Sequence, residues 1–156
     1  FEQVIANDRA STEKINRGFL EGKTEDIQQE LTMFLGETIS ILDTRVRNEE
    51  KEIFYHGILL GILKNNSGWA VKSNRESGFG RYDIMLEPKD KNENSFVMEF
   101  KVYKEEKEKT IEDTIENAKK QIEERRYVDD LEERGYTNIT KMVFAFKGKE
   151  VKMQVI

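Results

Sequence analysis

The spacing of apolar residues changes character near residue 68. Before that point, hydrophobic positions recur three and four apart, as on one face of a helix; after it, they first alternate, as along a strand. Residues 1–22 are polar, with Gly18 and Gly22 as breaks, and a short helix is predicted within Ile5–Ile15. Thr24 can cap a second helix, with Glu25 and Asp26 in its favourable first turn. Ile27, Leu31, Phe34, Leu35, Ile41 and Leu42 follow at helical spacing. Asn48 can cap a third helix, whose apolar positions are Phe54, Ile58, Leu59, Ile62 and Leu63. Asn65-Asn66-Ser67-Gly68 ends it.

Trp69–Ser73 then reads as a strand and Ser77–Gly80 as a turn or glycine loop. Arg81–Glu87 reads as a second strand stopping at Pro88, and Ser95–Tyr103 as a third after the polar loop Lys89–Asn94. A long helix starts near Thr110 and carries Ile111, Ile115, Ala118 and Ile122. Its apolar phase shifts after Arg125 to Tyr127, Val128 and Leu131, which predicts a kink or two helices, closed by Gly135. Ile139–Phe146 and Glu150–Ile156 read as strands joined by a tight turn at Lys147-Gly148-Lys149. Three consecutive strands predict an antiparallel meander. A helix before the fourth predicts a crossover inside a mixed sheet.

Composition narrows the chemistry. The 156 residues suit one domain, charged residues make up 37%, and the formal net charge is −5. With no Cys and one His, disulfides, thiolate chemistry and zinc sites built on Cys or several His are excluded. The longest apolar run, Ile58–Leu63, is far too short for a membrane-spanning helix, and no signal peptide is visible. These features point to an intracellular, cytoplasmic setting. The first residue is Phe1 rather than Met, which suggests a piece of a longer chain. Acidic charge argues against a broad nucleic-acid-coating surface, but it is concentrated: Lys104–Arg134 carries 8 basic and 12 acidic residues, whereas Lys72–Arg81 carries three basic and one acidic.

One constellation carries chemistry. On the strand Ser95–Tyr103, Phe96, Met98, Phe100 and Val102 form an apolar face, while Glu99 and Lys101 interrupt the other. On Arg81–Glu87, Arg81, Asp83 and Met85 share a face. If the strands are neighbours, Asp83 and Glu99 approach, and two such carboxylates repel unless a cation or proton intervenes. Lys101 could neutralise one; a hard divalent cation such as Mg²⁺ or Mn²⁺ would neutralise both. A cation so held polarises a phosphoryl oxygen and acidifies a bound water, and Lys101 could orient that water. The set is complete for phosphodiester hydrolysis. A simple salt bridge is the plainer reading of Glu99 and Lys101 alone.

Asp83 followed by Glu99-Phe100-Lys101 on the next strand resembles the D…E-x-K core of the PD-(D/E)XK nuclease superfamily. Glu52-Ile53-Phe54-Tyr55-His56-Gly57, Ser73-Asn74-Arg75-Glu76-Ser77-Gly78, Gln121-Ile122 and Ala145-Phe146-Lys147-Gly148-Lys149 extend it. Together they are similar to the nuclease-like domain that follows an AAA-ATPase-like domain in a large, mostly bacterial family; Tyr82 stands where the motif often has Pro. The resemblance implies an α/β fold with a restriction-endonuclease-like αβββαβ core, a mixed sheet flanked by helices, and extra N-terminal helices. It implies a helical extension or linker over 1–45 and a nuclease-like domain over 46–156. Asp83 and Glu99 would bind Mg²⁺ or Mn²⁺, with the Phe100 carbonyl as a third oxygen and Glu52 as an added acid. Lys101 would activate water, Gln121 would support the site, and Tyr127 would match a Tyr beyond it. The activity implied is metal-dependent cleavage of nucleic acid, DNA ahead of RNA. The alternative is an inactive module that binds DNA or regulates the associated ATPase-like domain.

Other residues keep two readings each. His56 shares a helical face with Glu52 and could contact phosphate or bond to Glu52 or a carbonyl. Arg75 and Arg81 could hold phosphates bidentately or pair with Glu76 and Asp83. Trp69 reads as core rather than a base-stacking platform, and Lys104–Arg134 as a solvated helical face.

Overall fold

The computed structural model describes residues 9–38, 48–64, 68–73, 76–77, 80–81, 83–124 and 127–156. Helices α1 (Arg9–Glu21), α2 (Thr24–Thr38) and α3 (Asn48–Lys64) precede strands β1 (Trp69–Ser73), β2 (Glu76–Ser77), β3 (Gly80–Arg81), β4 (Ile84–Pro88) and β5 (Asn94–Val102). Helices α4 (Ile111–Glu124) and α5 (Tyr127–Glu133) lead to β6 (Asn138–Lys147) and β7 (Glu150–Val155).

The main sheet has the order β1-β4-β5-β6-β7. Strands β1, β4 and β5 form the antiparallel meander, β5 and β6 run parallel, and β6 and β7 form a hairpin. A parallel pair cannot be closed by a tight turn, so α4 and α5 supply the connection. Both sheet faces are covered. Leu86, Phe96, Met98, Phe100 and Phe144 pack with Ile15, Phe19, Leu31, Ile58 and Ile62 of the first three helices. Met85, Val97, Val143 and Ala145 pack on the other side with Ile111, Ile115, Ala118, Ile122 and Leu131 of α4 and α5. The helices of the N-terminal extension thus share one core with the sheet.

Three local expectations are corrected. Helix α1 runs to Glu21, so Gly18 is inside it and not a break. Gly18 is a close-approach point: a Cβ there would lie 2.5 Å from Cγ1 of Ile27, and its carbonyl accepts the Lys23 amide at 2.9 Å. The second strand begins at Ile84, not Arg81; Arg81 belongs to the separate two-strand ribbon β2–β3. The charged run 104–109 is not uniformly solvated, because Glu108 is buried, its carboxylate accepting from the Lys104 amide and from Asn117 Nδ2, both at 2.8 Å. Ile5, Ile41, Leu42 and the loop residues Asn65–Ser67 fall outside the described residues.

Polar ties fix the layers. Asn16 Nδ2 donates to the Ile62 carbonyl at 3.0 Å, joining α1 to the end of α3. Trp69 is buried, and its Nε1 donates to the Leu63 carbonyl at 3.1 Å, consistent with a core role. The Met153 amide on β7 donates to Oε1 of Gln28 on α2 at 2.9 Å. Glu87, buried at the end of β4, binds Nη2 of Arg134 at 2.6 Å and Nζ of Lys72 at 3.1 Å. Burial pushes the Glu87 carboxyl up, but these two partners outweigh it and hold it below its ordinary range.

Two outcomes follow from this packing. Gly18→Val should cost about 1–3 kcal/mol in urea unfolding through overpacking against Ile27, whereas Gly36→Ala, which meets open space, should be neutral or gain up to about 1 kcal/mol. Because the folded carboxyl of Glu87 is the more acidic one, its contribution is present above the unfolded value near 4.5 and is lost as pH falls through the lower folded value. Glu87→Gln should therefore cost about 2 kcal/mol at pH 7 and progressively less below pH 4.5, read from melting temperature against pH.

Candidate active site

The candidate residues gather where β4 parts from β5. The ladder between these strands pairs Ile84 with Met98, and the next amide, that of Asp83, still donates to the Met98 carbonyl at 3.2 Å. Asp83 sits in a bend just before β4 rather than in the regular alternation. Its side chain turns onto β5: Oδ2 accepts the Phe100 amide at 2.7 Å. In a continued ladder, that amide would find a carbonyl of the neighbouring strand. Here a carboxylate takes the place, a local side-chain bond winning over strand pairing. The two anchors of Asp83, Met98 and Phe100, bracket Glu99.

Glu99 is 1% exposed. Its neighbour Val97 lies in the cluster under α4, so alternation turns Glu99 and Lys101 to that side of the sheet. Gln121 is half-buried on α4, the helix packed over β5. Phe100 itself points the other way and meets the His56 ring, with centroids 5.9 Å apart. The Phe100 carbonyl leaves β5 on the same edge as its amide, the edge from which β4 departs.

Helix α3 approaches from the Phe100 side. His56 Nε2 bonds the Asp83 carbonyl at 3.0 Å; a carbonyl oxygen only accepts, so this nitrogen carries the hydrogen. Of the two readings of His56, the carbonyl bond is the one present. Glu52 lies one turn earlier and its charge reaches Asp83. Burial, first of all, pushes the Asp83 carboxyl above its ordinary range, and the Glu52 charge adds to the push. The Phe100 amide, His56 and Lys101 pull the other way without cancelling it.

The donors fit a hard divalent cation in kind: a carboxylate from the bend before β4, another from β5, a backbone carbonyl beside them, and a third acid whose negative charge acts on the first. Among the described residues, no three of His, Asp and Glu are gathered closely enough to form a cage by themselves. Arg75 lies outside the described residues, and so do the side chains of Glu76, Arg81 and Tyr127.

Two contacts here are invisible in the sequence. No residue pattern announces that the Phe100 amide will hold Asp83, or that the carbonyl of Asp83 will be the partner of His56. A backbone partner leaves no mark on composition or spacing.

The comparisons agree with this architecture. A model described as the PD-(D/E)XK nuclease superfamily matches residues 50–155. No curated protein and no solved structure matches the chain. The matched residues run from α3 through the three-strand meander, the α4–α5 crossover and the parallel strand β6, and they include Asp83 and Glu99-Phe100-Lys101; the chain belongs to the PD-(D/E)XK nuclease superfamily.

Proposed function

We propose that this domain is a metal-dependent nuclease, cleaving phosphodiester bonds of nucleic acid, DNA ahead of RNA, with Mg²⁺ or Mn²⁺ held by Asp83 and Glu99. The observation that carries the reading is the state of Asp83: a carboxylate turned onto the strand of Glu99 and Lys101, pushed up by burial and by the Glu52 charge. Such strain is what a bound cation relieves. The Phe100 carbonyl would complete the oxygen set and Glu52 would add to it. A bound metal supplies Lewis-acid stabilisation of phosphate charge and a more acidic water. Lys101 would orient the attacking water and face the charge on the phosphoryl oxygens. Gln121 supports the site from α4. Arg75, Arg81 and Tyr127 contact the strand outside the reacting atoms. His56 acts on Asp83, not on phosphate: it fixes the carbonyl and so the turn that aims the carboxylate.

A second reading is favoured by the net charge of −5: a module that binds without cutting, or regulates an ATPase-like domain in a longer chain. One experiment separates the two. Cleavage of single- and double-stranded DNA and of RNA should appear with Mg²⁺ or Mn²⁺ and vanish in EDTA. Lys101→Ala and Asp83→Ala should each lose at least about 100-fold in rate with unchanged melting curves or, for Asp83→Ala, a higher one. Wild-type cutting by Lys101→Ala would overturn the assignment. No cutting by the wild type under any metal favours the second reading.

His56→Phe keeps the ring contact with Phe100 and removes the donor. It should slow cleavage about 10–100-fold and weaken Mn²⁺ binding in calorimetry, with His56→Gln recovering part of both. Equal activity in His56→Phe would remove the positioning role.

A further inference from the structure

An opening lies between the first turn of α3 and the β6–β7 turn. It is a cleft of about 400 Å³ walled by Lys51, Val102, Tyr103, Lys147 and Gly148. Two of these adjoin the candidate residues in sequence: Lys51 precedes Glu52, and Val102 follows Lys101. We propose that this cleft holds a phosphate of the nucleic-acid strand adjoining the one being cut, through Lys51 and Lys147; the proposal rests on the nuclease reading above.

The walls are built, not incidental. Tyr103 is fixed at both ends: its amide donates to the Phe146 carbonyl at 2.8 Å, and its hydroxyl donates to the carbonyls of Glu108 at 3.0 Å and Lys109 at 3.3 Å. The loop supplying those carbonyls is held by the buried Glu108 carboxylate. On the far wall, the Tyr55 hydroxyl donates to the Gly148 carbonyl at 2.7 Å, tying α3 to the turn. Gly148 has a φ of 59°, a left-handed conformation that suits glycine and lets the hairpin turn so tightly.

Two of the charged side chains in the lining, Lys51 and Lys147, can hold an anion. Lys147 Nζ rests over the Tyr103 ring, 4.4 Å from its centroid. A ring face holds an ammonium by its quadrupole and occupies none of the oxygen acceptors that would compete for its hydrogens. Among the described residues, the ion pairs at Glu21, Glu30, Glu87, Glu112, Glu116 and Asp130 involve neither Lys51 nor Lys147. Lys51 lies in the first turn of α3, a 17-residue helix whose N-terminal end carries the positive half of its dipole. Glu105 and Glu106 also line the cleft and work against an anion there. They make the proposal testable in both directions.

The test is fluorescence anisotropy with labelled single-stranded DNA, duplex DNA and RNA oligonucleotides. The full chain is used, with Ca²⁺ replacing Mg²⁺, over about 50–200 mM salt. Lys51→Ala/Lys147→Ala should weaken binding about tenfold or more and reduce the slope of log affinity against log salt by about 1, since the one phosphate left without its lysines lowers that slope by about 1. Glu105→Gln/Glu106→Gln should tighten binding. Lys64→Ala/Lys89→Ala removes the same charge at the opposite end of α3 and of the sheet and should leave the slope unchanged. If melting shows the first variant unfolded, Lys51→Gln/Lys147→Gln replaces it. A wild-type slope in the lysine variant, or an equal loss in the distant pair, overturns the cleft while leaving the nuclease reading intact. A wild type that neither binds nor cuts any of the three probes overturns both.

Discussion

Strand β5 is paired on both edges and covered on both faces, and the rest of the molecule is arranged around that condition. Its parallel partner β6 can be reached only through a long connection, so α4 and α5 exist as a layer. That layer buries the face bearing Val97 and Glu99, while α1, α2 and α3 bury the face bearing Phe96, Met98 and Phe100. A strand so enclosed leaves few places for water or substrate. The regular β4–β5 ladder ends at Ile84, and the candidate residues Asp83, Glu99 and Lys101 adjoin that end.

The arrangement holds one carboxyl, that of Asp83, above its ordinary range, chiefly through burial. The Asp83 charge is disfavoured by burial and by Glu52, and only partly restored by the Phe100 amide, His56 and Lys101. A cation that bound beside such a carboxylate in the native state alone would shift folding toward it. Glu87 shows the contrary solution at the opposite end of β4. There Arg134 and Lys72 neutralise a buried acid from within the chain, and no external charge is called for.

Much of this is legible in the sequence. Trp69–Ser73 is legible to the residue because it is a short run between the break at Asn65–Gly68 and the glycine loop that follows. The hairpin at Lys147-Gly148-Lys149 is legible because glycine there serves a positive φ. The order of elements implies the mixed sheet through the rule that parallel neighbours need a crossover. What the pattern misses, it misses for tertiary reasons. Gly18 looks like a helix break by propensity, yet a neighbouring helix passes so close that only glycine fits. Arg81–Glu87 alternates through Asp83, yet the Asp83 carboxylate claims an amide of β5 and bends the chain out of the strand. In the candidate site, residue types are visible and their backbone partners are not; His56 can be paired with Asp83 only once the strand that carries it is in place.

The bond from the Met153 amide to Gln28 has a further meaning. Strand β7 is the outer strand of the sheet, and its outward amides and carbonyls are the kind of surface on which a second chain can add a strand. Gln28 occupies one of those amides, and α2 lies along the same edge. The N-terminal helices therefore act as a guard against self-association as well as part of the core. A chain begun at residue 46, without α1 and α2, would bare both the β7 edge and the apolar side chains that Leu31 and Phe34 now cover, and would be prone to aggregate.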